Sequence, residues 1–227
     1  MELSPELALT EQEKDLLQSH WRLVREANRR FNLTAVSDEE AGEKHYRDCL
    51  AARPLLDALP PCSRVLDLGS GAGFPGLVLA CVCPRIGFTL VDATAKKCDF
   101  LRETTAALGL DNVEVVCGRA EELGRGPGRE SWDLVTARAV APLRELAELA
   151  LPLLRPEGRL LALKGGSFRQ EIDEAARALS ELNGEVCGEQ EYQLAAGDRR
   201  CLLLIRKTGP TPDKYPRRPG LPHKRPL

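Results

Sequence analysis

The chain has 227 residues, of which 43% are hydrophobic and 29% charged, and its formal net charge is −2 at pH 7. This composition is ordinary for a globular protein, and the length suffices for one well-buried core. The small net charge excludes a general electrostatic attraction to nucleic acid or to an anionic membrane, so any such affinity must come from local patches.

Nothing in the sequence indicates export or membrane insertion. The N-terminal stretch is rich in Glu and lacks the basic start and apolar core of a signal peptide. No apolar run approaches the ~18 residues of a membrane span. Eight cysteines are scattered without a Cys-x-x-Cys pair, which favours buried, reduced thiols over a metal site. We therefore expect a cytoplasmic protein with no metal and no membrane partner.

Residues 1–61 are predicted to form a helical cap. The stretch ELALTEQEKDLLQSHWRLVREANRRF contains no Pro or Gly and places Leu at helical spacing. A second helical stretch covers roughly 38–59 and ends where two prolines follow, because proline cannot continue a helix. Within it, His45 and Asp48 lie three residues apart on one helix face, which fits either a local hydrogen-bonded pair or a contact with substrate.

From residue 62 to 209, short runs rich in Val and Leu alternate with helical segments, which indicates a parallel sheet covered by helices on both faces. The last two apolar runs are separated by only four residues, too few for a parallel crossover, so they are predicted to form a hairpin with an antiparallel last strand. The predicted strands are 64–69, 87–93, 113–118, 132–137, 159–165, 184–194 and 199–207, and the predicted helices lie near 75–82, 95–109, 142–154 and 168–182.

The segment VLDLGSGAGFPG contains two overlapping glycine patterns. Gly71, Gly73 and Gly76 match the dinucleotide fingerprint G-x-G-x-x-G. In a dinucleotide site the first glycine ends the strand, but here that residue is Gly69, two positions earlier. The carboxylate of Asp67 would repel a pyrophosphate, whereas it suits the amino group and sulfonium of S-adenosylmethionine. The position of the strand end therefore favours a methyl-donor site.

Asp92 ends the second predicted strand, where a carboxylate can accept both ribose hydroxyls of either kind of cofactor. Two absences argue against a nicotinamide site, because the chain has no Tyr-x-x-x-Lys pair and no second domain to hold a hydride acceptor. The terminal hairpin after five strand–helix units fits the class I S-adenosylmethionine-dependent methyltransferases. We predict this Rossmann-like α/β fold, with a seven-stranded sheet whose last strand is antiparallel, for residues 62–209.

The tip of the fourth predicted strand, in WDLVTARAV, is where this class usually meets the methyl acceptor. It lacks the Asn/Asp-Pro-Pro-aromatic element of amine acceptors, and Cys62 lies on the wrong side of the sheet to attack a pyrimidine carbon. Arg138 could contact a phosphate or a guanine edge, or be a plain surface arginine. Lys164, at the same edge, could contact RNA or be solvated. Guanine N7 needs alignment but no proton removal, which agrees with the absence of a strong base.

Several segments together resemble one family. They occur in order from about residue 28 to the C-terminus and are NLTAV, HYRDCL, VLDLGSGAGFPG, RAEEL, ARAVAPL, LKG and KYPRRPGLPHKRPL. The chain is identified by them as a member of the bacterial glucose-inhibited division protein B family. The resemblance implies methylation of guanine N7 in 16S rRNA (guanine 527 in rRNA numbering), with S-adenosylmethionine as donor and S-adenosylhomocysteine as product. The alternatives are a small-molecule methyltransferase and a catalytically silent RNA-binding assembly factor.

The resemblance also implies roles for individual residues. Gly69 and Phe74 would line the methionine side of the cofactor, and Ala120 and Glu121 would lie along its adenine. Arg138 would lie at the acceptor side, and with Lys164 it is the candidate catalytic residue. The complete set of predicted cofactor-binding residues is Asp67, Gly69, Gly71, Gly73, Phe74, Asp92, Ala120, Glu121 and Arg138.

Residues 210–227 form a basic, proline-rich tail, which concentrates positive charge in a chain of net charge −2. KYPRRPGLPHKRPL holds four prolines and five basic residues without an acid, so it is predicted to be extended and neither helix nor central strand. It is expected either to bind RNA phosphates or to be a disordered solubilising tail. The partner would be 16S rRNA or the small ribosomal subunit, bound by a monomer. The predicted RNA contacts are Lys214, Arg217, Arg218, Lys224 and Arg225, with a second basic cluster at Arg22, Arg25, Arg29 and Arg30.

Overall fold

The centre of the protein is a seven-stranded sheet, in a computed structural model that describes Met1 and residues 8–227. Residues 2–7, the start of the predicted helical cap, lie outside the described residues. The strand order is β3-β2-β1-β4-β5-β7-β6. The strands are β1 Arg64–Leu68, β2 Gly87–Asp92, β3 Val113–Cys117, β4 Trp132–Arg138, β5 Leu154–Gly165, β6 Gly184–Gln193 and β7 Arg199–Lys207.

The pairing of the strands confirms the predicted fold class. β3, β2, β1, β4 and β5 are mutually parallel, and β7 runs antiparallel to both of its neighbours. The last strand in the chain is therefore antiparallel, as predicted. It lies inside the sheet between β5 and β6, because the hairpin folds back so that β6 forms the edge.

Helices cover both faces of the sheet. One face packs against the N-terminal helices together with α5 (Gly76–Val82) and α6 (Ala95–Leu108). The other face packs against α8 (Leu143–Ala150) and α9 (Phe168–Glu181). None of the described helices is both long and apolar enough to span a membrane.

The N-terminal part is helical, as predicted, but it is more broken than the sequence indicates. The predicted second helix consists of four pieces that turn at residues 51–52. The elements are α1 Glu11–Asn28, α2 Asp38–Ala41, a π-helical segment Gly42–Arg47, α3 Asp48–Leu50 and α4 Arg53–Asp57.

The start of α1 is fixed by a capping box that the sequence TEQE encodes. The Thr10 hydroxyl accepts a hydrogen bond from the Glu13 backbone N–H at 3.2 Å, and the Glu13 carboxylate accepts one from the Thr10 N–H at 2.7 Å. The other carboxylate oxygen of Glu13 lies 2.8 Å from Arg53 Nη2, which ties α1 to α4.

Three details of the central region differ from expectation. The short helix α7 (Ala120–Arg125) was not predicted, because its six residues are too few to show a period. The predicted helix 142–154 ends at Ala150, since Pro152 allows only a 3₁₀ turn there. β3 is half-exposed rather than apolar on both faces, because it is an edge strand.

The tail contradicts the prediction that it contains no helix. Residues Leu221–Lys224 form one helical turn, α10, in which Pro222 occupies the first turn and loses no hydrogen bond by lacking an N–H. Tyr215 is buried in the hydrophobic cluster on the α8–α9 face of the sheet, and Arg129 donates hydrogen bonds to the carbonyls of Tyr215 (2.7 Å) and Thr211 (2.6 Å). The tail is thus packed on the domain and is not a disordered appendage.

Candidate functional site

A glycine loop joins β1 to α5 at the carboxyl edge of the sheet. Gly69, Gly71 and Gly73 have φ values of +71°, +56° and +94°, a region that side-chain-bearing residues rarely adopt. Gly76 differs, because its requirement is steric: an added Cβ would lie 2.4 Å from the Cβ of Asp67. The left-handed backbone conformation of the loop therefore begins at Gly69, and Gly76 allows close helix–strand packing.

Asp67 supports this loop from beneath. Its side chain is fully buried, Thr136 Oγ1 donates to Oδ1 at 2.7 Å, and Oδ2 has no hydrogen-bond partner among the described residues. Burial raises the pKa of this carboxyl to about 6, while the hydrogen bond from Thr136 acts in the opposite direction. The carboxylate was expected to face the cofactor, but it lies behind the loop and does not line the cavity.

Asp92 ties the end of β2 to the same loop. Its Oδ2 accepts from the Gly71 N–H at 3.1 Å, and its Oδ1 accepts from the Thr94 N–H at 2.8 Å. The side chain is mostly buried, and Lys97 Nζ lies 3.8 Å from Oδ2. Asp92 therefore orients the loop from the β2 side.

His20 of α1 fixes the loop from the cap, a contact that sequence reasoning missed. Its Nε2–H donates to the Ala72 carbonyl at 2.8 Å, and its Nδ1 lies 2.8 Å from the Tyr46 hydroxyl. Because the carbonyl can only accept, Nδ1 carries no proton and accepts from Tyr46. Burial lowers the pKa of His20 to about 4. The only sequence signal was its place on the apolar face of α1, between Leu17 and Val24.

The pKa of His20 predicts loss of stability in acid. The unfolded chain takes up this proton near pH 6.5, before the folded chain does, so the stabilisation is complete above pH 6.5 and is lost as pH falls towards about 4. The difference corresponds to about 3 kcal/mol at most. Asp67 acts oppositely, since its raised pKa lowers stability as pH rises from about 4 to about 6.

Comparing His20→Gln with the parent protein isolates the contribution of the histidine. The difference in urea unfolding free energy between the two should be largest at pH 7 and should shrink steadily towards pH 4. A difference that is constant across this range would contradict the buried neutral imidazole.

A cavity of about 820 Å³ opens beside the glycine loop, between the cap, the tip of β4 and the start of α9. Five of the predicted site residues line it: Gly69, Gly71, Phe74, Arg138 and Lys164. The others lie outside its lining, beneath the loop or on its β2–β3 side: Asp67, Gly73, Asp92, Ala120 and Glu121.

Arg138 is held in the cavity wall by three hydrogen bonds and a ring contact. Nη1 donates to the Lys44 carbonyl and to Asp48 Oδ2, both at 3.1 Å, and Nη2 donates to His45 Nδ1 at 2.9 Å. The guanidinium lies over the ring of Phe74, 5.0 Å from its centroid, in a cation–π arrangement. It is thus not the plain surface arginine that the sequence left open.

His45 lies against Phe74, with ring centroids 4.2 Å apart and planes 16° from parallel. Since arginine can only donate, His45 Nδ1 accepts, and the proton on Nε2 is directed to Thr34 Oγ1 at 2.7 Å. Burial, with a further contribution from the charge of Arg138, lowers the pKa of His45 to about 3. Of the two alternatives that the sequence leaves open for His45 and Asp48, the local hydrogen-bonded pair is wrong, because each residue contacts Arg138 instead.

Lys164 holds the loop after β4 in place. Its side chain is 9% exposed, and Nζ donates to Glu171 Oε2 at 2.7 Å and to the Ala141 carbonyl at 3.0 Å. The same Glu171 oxygen accepts from the Leu143 N–H at 2.8 Å. The solvated-lysine alternative is therefore excluded, and the ammonium group is already engaged within the chain.

Replacing Lys164 should impair catalysis more than stability. In Lys164→Met the carbonyl of Ala141 and the carboxylate of Glu171 lose their shared donor, and the cavity wall between them shifts. We expect the methyl transfer predicted from the sequence to fall by about ten- to hundredfold, because small misplacements of positioning groups have effects of this size. Radiometric methyl transfer measures the loss. Arg177→Met, which removes a surface ion pair on the same helix, is the control and should leave the rate unchanged.

Ala120 and Glu121 begin α7, on the side of the loop where Asp92 lies. Both are buried. Glu121 Oε1 accepts from the Gly220 N–H of the tail at 2.8 Å, so the tail reaches this side of the sheet edge. Of the two predicted adenine-side residues, Glu121 is thus held by the tail.

The five predicted RNA contacts of the tail have two different environments. Arg217 forms an ion pair with the fully buried Glu148, with Nε at 2.8 Å and Nη2 at 2.5 Å from its oxygens. Lys214 Nζ lies 3.1 Å from Glu181. The remaining three are exposed: Arg218, Lys224 and Arg225. In the N-terminal cluster, Arg25 pairs with Asp38 at 2.9 Å, whereas Arg22, Arg29 and Arg30 are exposed.

The sheet order, the antiparallel β7 and the glycine loop after β1 define a class I methyltransferase fold. A putative methyltransferase from Bacillus halodurans superposes with a TM-score of 0.55 at 16% identity, covering 70% of this chain and 98% of that one. The TYW2 protein of M. jannaschii, solved in complex with AdoMet, superposes with a TM-score of 0.54 at 12% identity, covering 70% and 75%. At these identities the likeness shows the fold.

The sequence comparisons are more specific. The family described as rRNA small subunit methyltransferase G matches residues 13–196. Ribosomal RNA small subunit methyltransferase G of Symbiobacterium thermophilum is 49% identical over 216 residues, covering 92% of this chain and 87% of the relative. The chain belongs to this family of S-adenosylmethionine-dependent methyltransferases, which confirms the predicted class of enzyme.

Proposed function

We propose that this protein transfers a methyl group from S-adenosylmethionine to N7 of a guanine in 16S rRNA, the resemblance indicating guanine 527. The observation that carries the proposal is the glycine loop beginning at Gly69, which borders a cavity containing Phe74 and Arg138. The names of the relatives support small-subunit rRNA as the substrate.

The methyl donor and the acceptor base would occupy different regions beside the glycine loop. The adenosine of the donor would lie over Asp92, Ala120 and Glu121, and its methionine part would lie along Gly69 and Phe74. The cavity extends away from that side, past Arg138 and Lys164 to α9, which leaves its far part for the acceptor base. Its volume of about 820 Å³ is within the range of small-molecule sites.

Purine N7 as acceptor agrees with the groups that line the cavity. N7 carries a lone pair at neutral pH, so no base has to remove a proton, and the donor sulfonium loses its charge as the purine gains one. His45 is neutral and already bonded to Thr34 and Arg138, so it is not placed to act as a base. No cysteine is among the described residues that line the cavity, which argues against attack on a pyrimidine carbon. Catalysis would consist of alignment and charge stabilisation.

RNA binding would depend on exposed cations of the tail and of α1. Arg218, Lys224 and Arg225 extend from the tail beside α7 and α8, and Arg22, Arg29 and Arg30 are exposed at the cap. We assign Arg217 to holding the tail rather than to RNA, because its guanidinium is used by Glu148. Binding through these groups should weaken steeply with salt, as counterion release requires.

Methyl transfer to isolated ribosomal subunits tests the proposal. The purified protein, labelled S-adenosylmethionine and small subunits from a strain lacking the enzyme should give one methylated guanine, located by borohydride and aniline cleavage at 7-methylguanine. Label at another atom would refute the N7 assignment, and label in another RNA would refute 16S rRNA as the substrate. Transfer only to small molecules, or none to any RNA, would favour the alternative functions. Gly69→Val, which forces a side chain into the glycine loop, serves as a variant of the donor site and should lower transfer.

A further inference from the structure

The π-helical segment of the cap lies against Arg138. π-Helical turns are rare and occur frequently at functional sites, because the wider turn displaces side chains from ordinary helical positions. Here the segment Gly42–Arg47 and the following α3 supply all three polar partners of the Arg138 guanidinium among the described residues: the Lys44 carbonyl, His45 and Asp48. The irregular turn is thus matched to one side chain.

Asp48 is the only charged member of this set, and its two oxygens have different partners. Oδ2 accepts from Arg138, whereas Oδ1 accepts from the Tyr192 hydroxyl at 2.7 Å and lies 3.6 Å from Arg200 Nε. The side chain of Asp48 is only 6% exposed. Tyr192 and Arg200 belong to the β6–β7 hairpin, so the carboxylate is fixed by one part of the fold while it holds a side chain of another.

The contacts leave part of the guanidinium unused. Two Nη1 hydrogens and one Nη2 hydrogen are engaged, so Nε–H and the second Nη2–H have no partner among the described residues. Nε–H and Nη2 share one edge of the planar group, and this edge, which we call the fork, is suited to paired acceptor atoms. Since Arg138 lines the cavity, its orientation decides whether that fork reaches a ligand there.

We propose that Asp48 is a positioning residue for the methyl transfer, which holds the guanidinium plane of Arg138 so that its free fork is presented to the ligand in the cavity. This inference rests on the proposed function of the cavity. Asp48 is the residue that sets the angle, because it carries the opposite charge and is itself held by Tyr192. The carbonyl of Lys44 and the neutral ring of His45 complete the set.

The test combines kinetics with a spectroscopic signature of Arg138. In Asp48→Asn the charge is lost at constant shape, and kcat for small subunits should fall by about ten- to hundredfold. Asp38→Asn, a carboxylate of the same cap segment that does not contact Arg138, should retain the parent rate. In ¹⁵N NMR, slow rotation of the held guanidinium should give separate Nη1 and Nη2 signals in the parent and merged signals in Asp48→Asn.

A double-mutant cycle shows whether Asp48 acts through Arg138. In an Arg138→Lys background, which lacks the fork, Asp48→Asn should cost less than about twofold, since interacting residues are non-additive. Additive losses, an unchanged kcat in Asp48→Asn or persistently separate Nη signals would overturn the inference. If Asp48→Asn does not fold, Tyr192→Phe decides: it should lower kcat and broaden the Nη signals, and a parent-like spectrum would refute the role. The signals need no RNA, so they test the inference even where methylation fails.

Discussion

Arg217→Met is expected to destabilise the protein by about 3–5 kcal/mol, the usual cost of leaving a buried charge without its partner. Glu148, on α8, is fully buried and accepts from the Arg217 backbone N–H at 2.8 Å as well as from its guanidinium. Without the guanidinium, the carboxylate must remain charged in the core, take up a proton or expel the tail. Each of these outcomes lowers the free energy of unfolding, which urea denaturation measures.

The neighbouring Lys214 provides the control. Its side chain is 66% exposed and its ion pair with Glu181 is at the surface, so Lys214→Met should change the free energy of unfolding far less than Arg217→Met. The double variant Glu148→Leu/Arg217→Met should recover much of the loss, because it leaves no buried charge unpaired. Equal effects of the Arg217 and Lys214 replacements would contradict a structural role for the tail.

This role changes how a truncation of the tail must be interpreted. Deleting 210–227 removes the exposed cations, but it also removes the partner of Glu148 and the Gly220 N–H bound to Glu121. A loss of methyl transfer in that truncation would therefore combine instability with weaker RNA binding. Replacing only Arg218, Lys224 and Arg225 by Gln separates the two, and it should reduce the salt dependence of RNA binding at unchanged stability.

Gly76→Ala is expected to cost about 3 kcal/mol or more, at the upper end of what overpacking a core causes. The added Cβ would lie 2.4 Å from Asp67 Cβ and 2.6 Å from Leu90 Cδ2, on the neighbouring strands β1 and β2. Real Cβ atoms do not approach carbon this closely, so α5 must move away from the sheet and take the glycine loop with it. The unfolding midpoint in urea should drop and methyl-donor binding should weaken.

Gly118→Ala is the matched control for this prediction. Gly118 follows β3, and no atom lies within 4 Å of an added Cβ there. Its replacement should change stability by less than about 0.5 kcal/mol, as is usual for surface positions. If Gly76→Ala and Gly118→Ala unfold at the same urea concentration, the close packing of α5 on β1 is wrong.

The sheet and the glycine loop were predictable because their signals are local. Runs of Val and Leu reveal buried strands, and the strand end at Leu68 fixes which glycine opens the loop. The positive φ values of Gly69, Gly71 and Gly73 then agree with the chosen register. The same local reasoning placed Arg138 and Lys164 at the sheet edge.

The hydrogen-bond partners of Arg138 and Arg217 were not predictable, since they come from distant parts of the chain. Arg138 contacts residues 90 or more positions earlier, and Arg217 contacts a carboxylate 69 positions away. The π-helical turn has no sequence period of its own, and nothing local in the sequence shows that the side chain of Asp67 is buried beneath the loop. A charged side chain that is predicted to be buried must have a hydrogen-bond or ion-pair partner, but only the fold shows which residue that partner is.

Thermal unfolding with added ligand tests the donor-site assignment most directly. A ligand that binds only the folded protein stabilises it by about 2.7 kcal/mol at a hundredfold excess over Kd. S-adenosylhomocysteine should therefore raise the Tm by several degrees, NAD should not, and the shift should be lost when the loop is altered in Gly69→Val. An added Cβ at Gly69 would lie 2.8 Å from Val140 Cγ2, and φ there is +71°. A shift with NAD and none with S-adenosylhomocysteine would contradict the methyl-donor register and support the dinucleotide pattern that begins at Gly71.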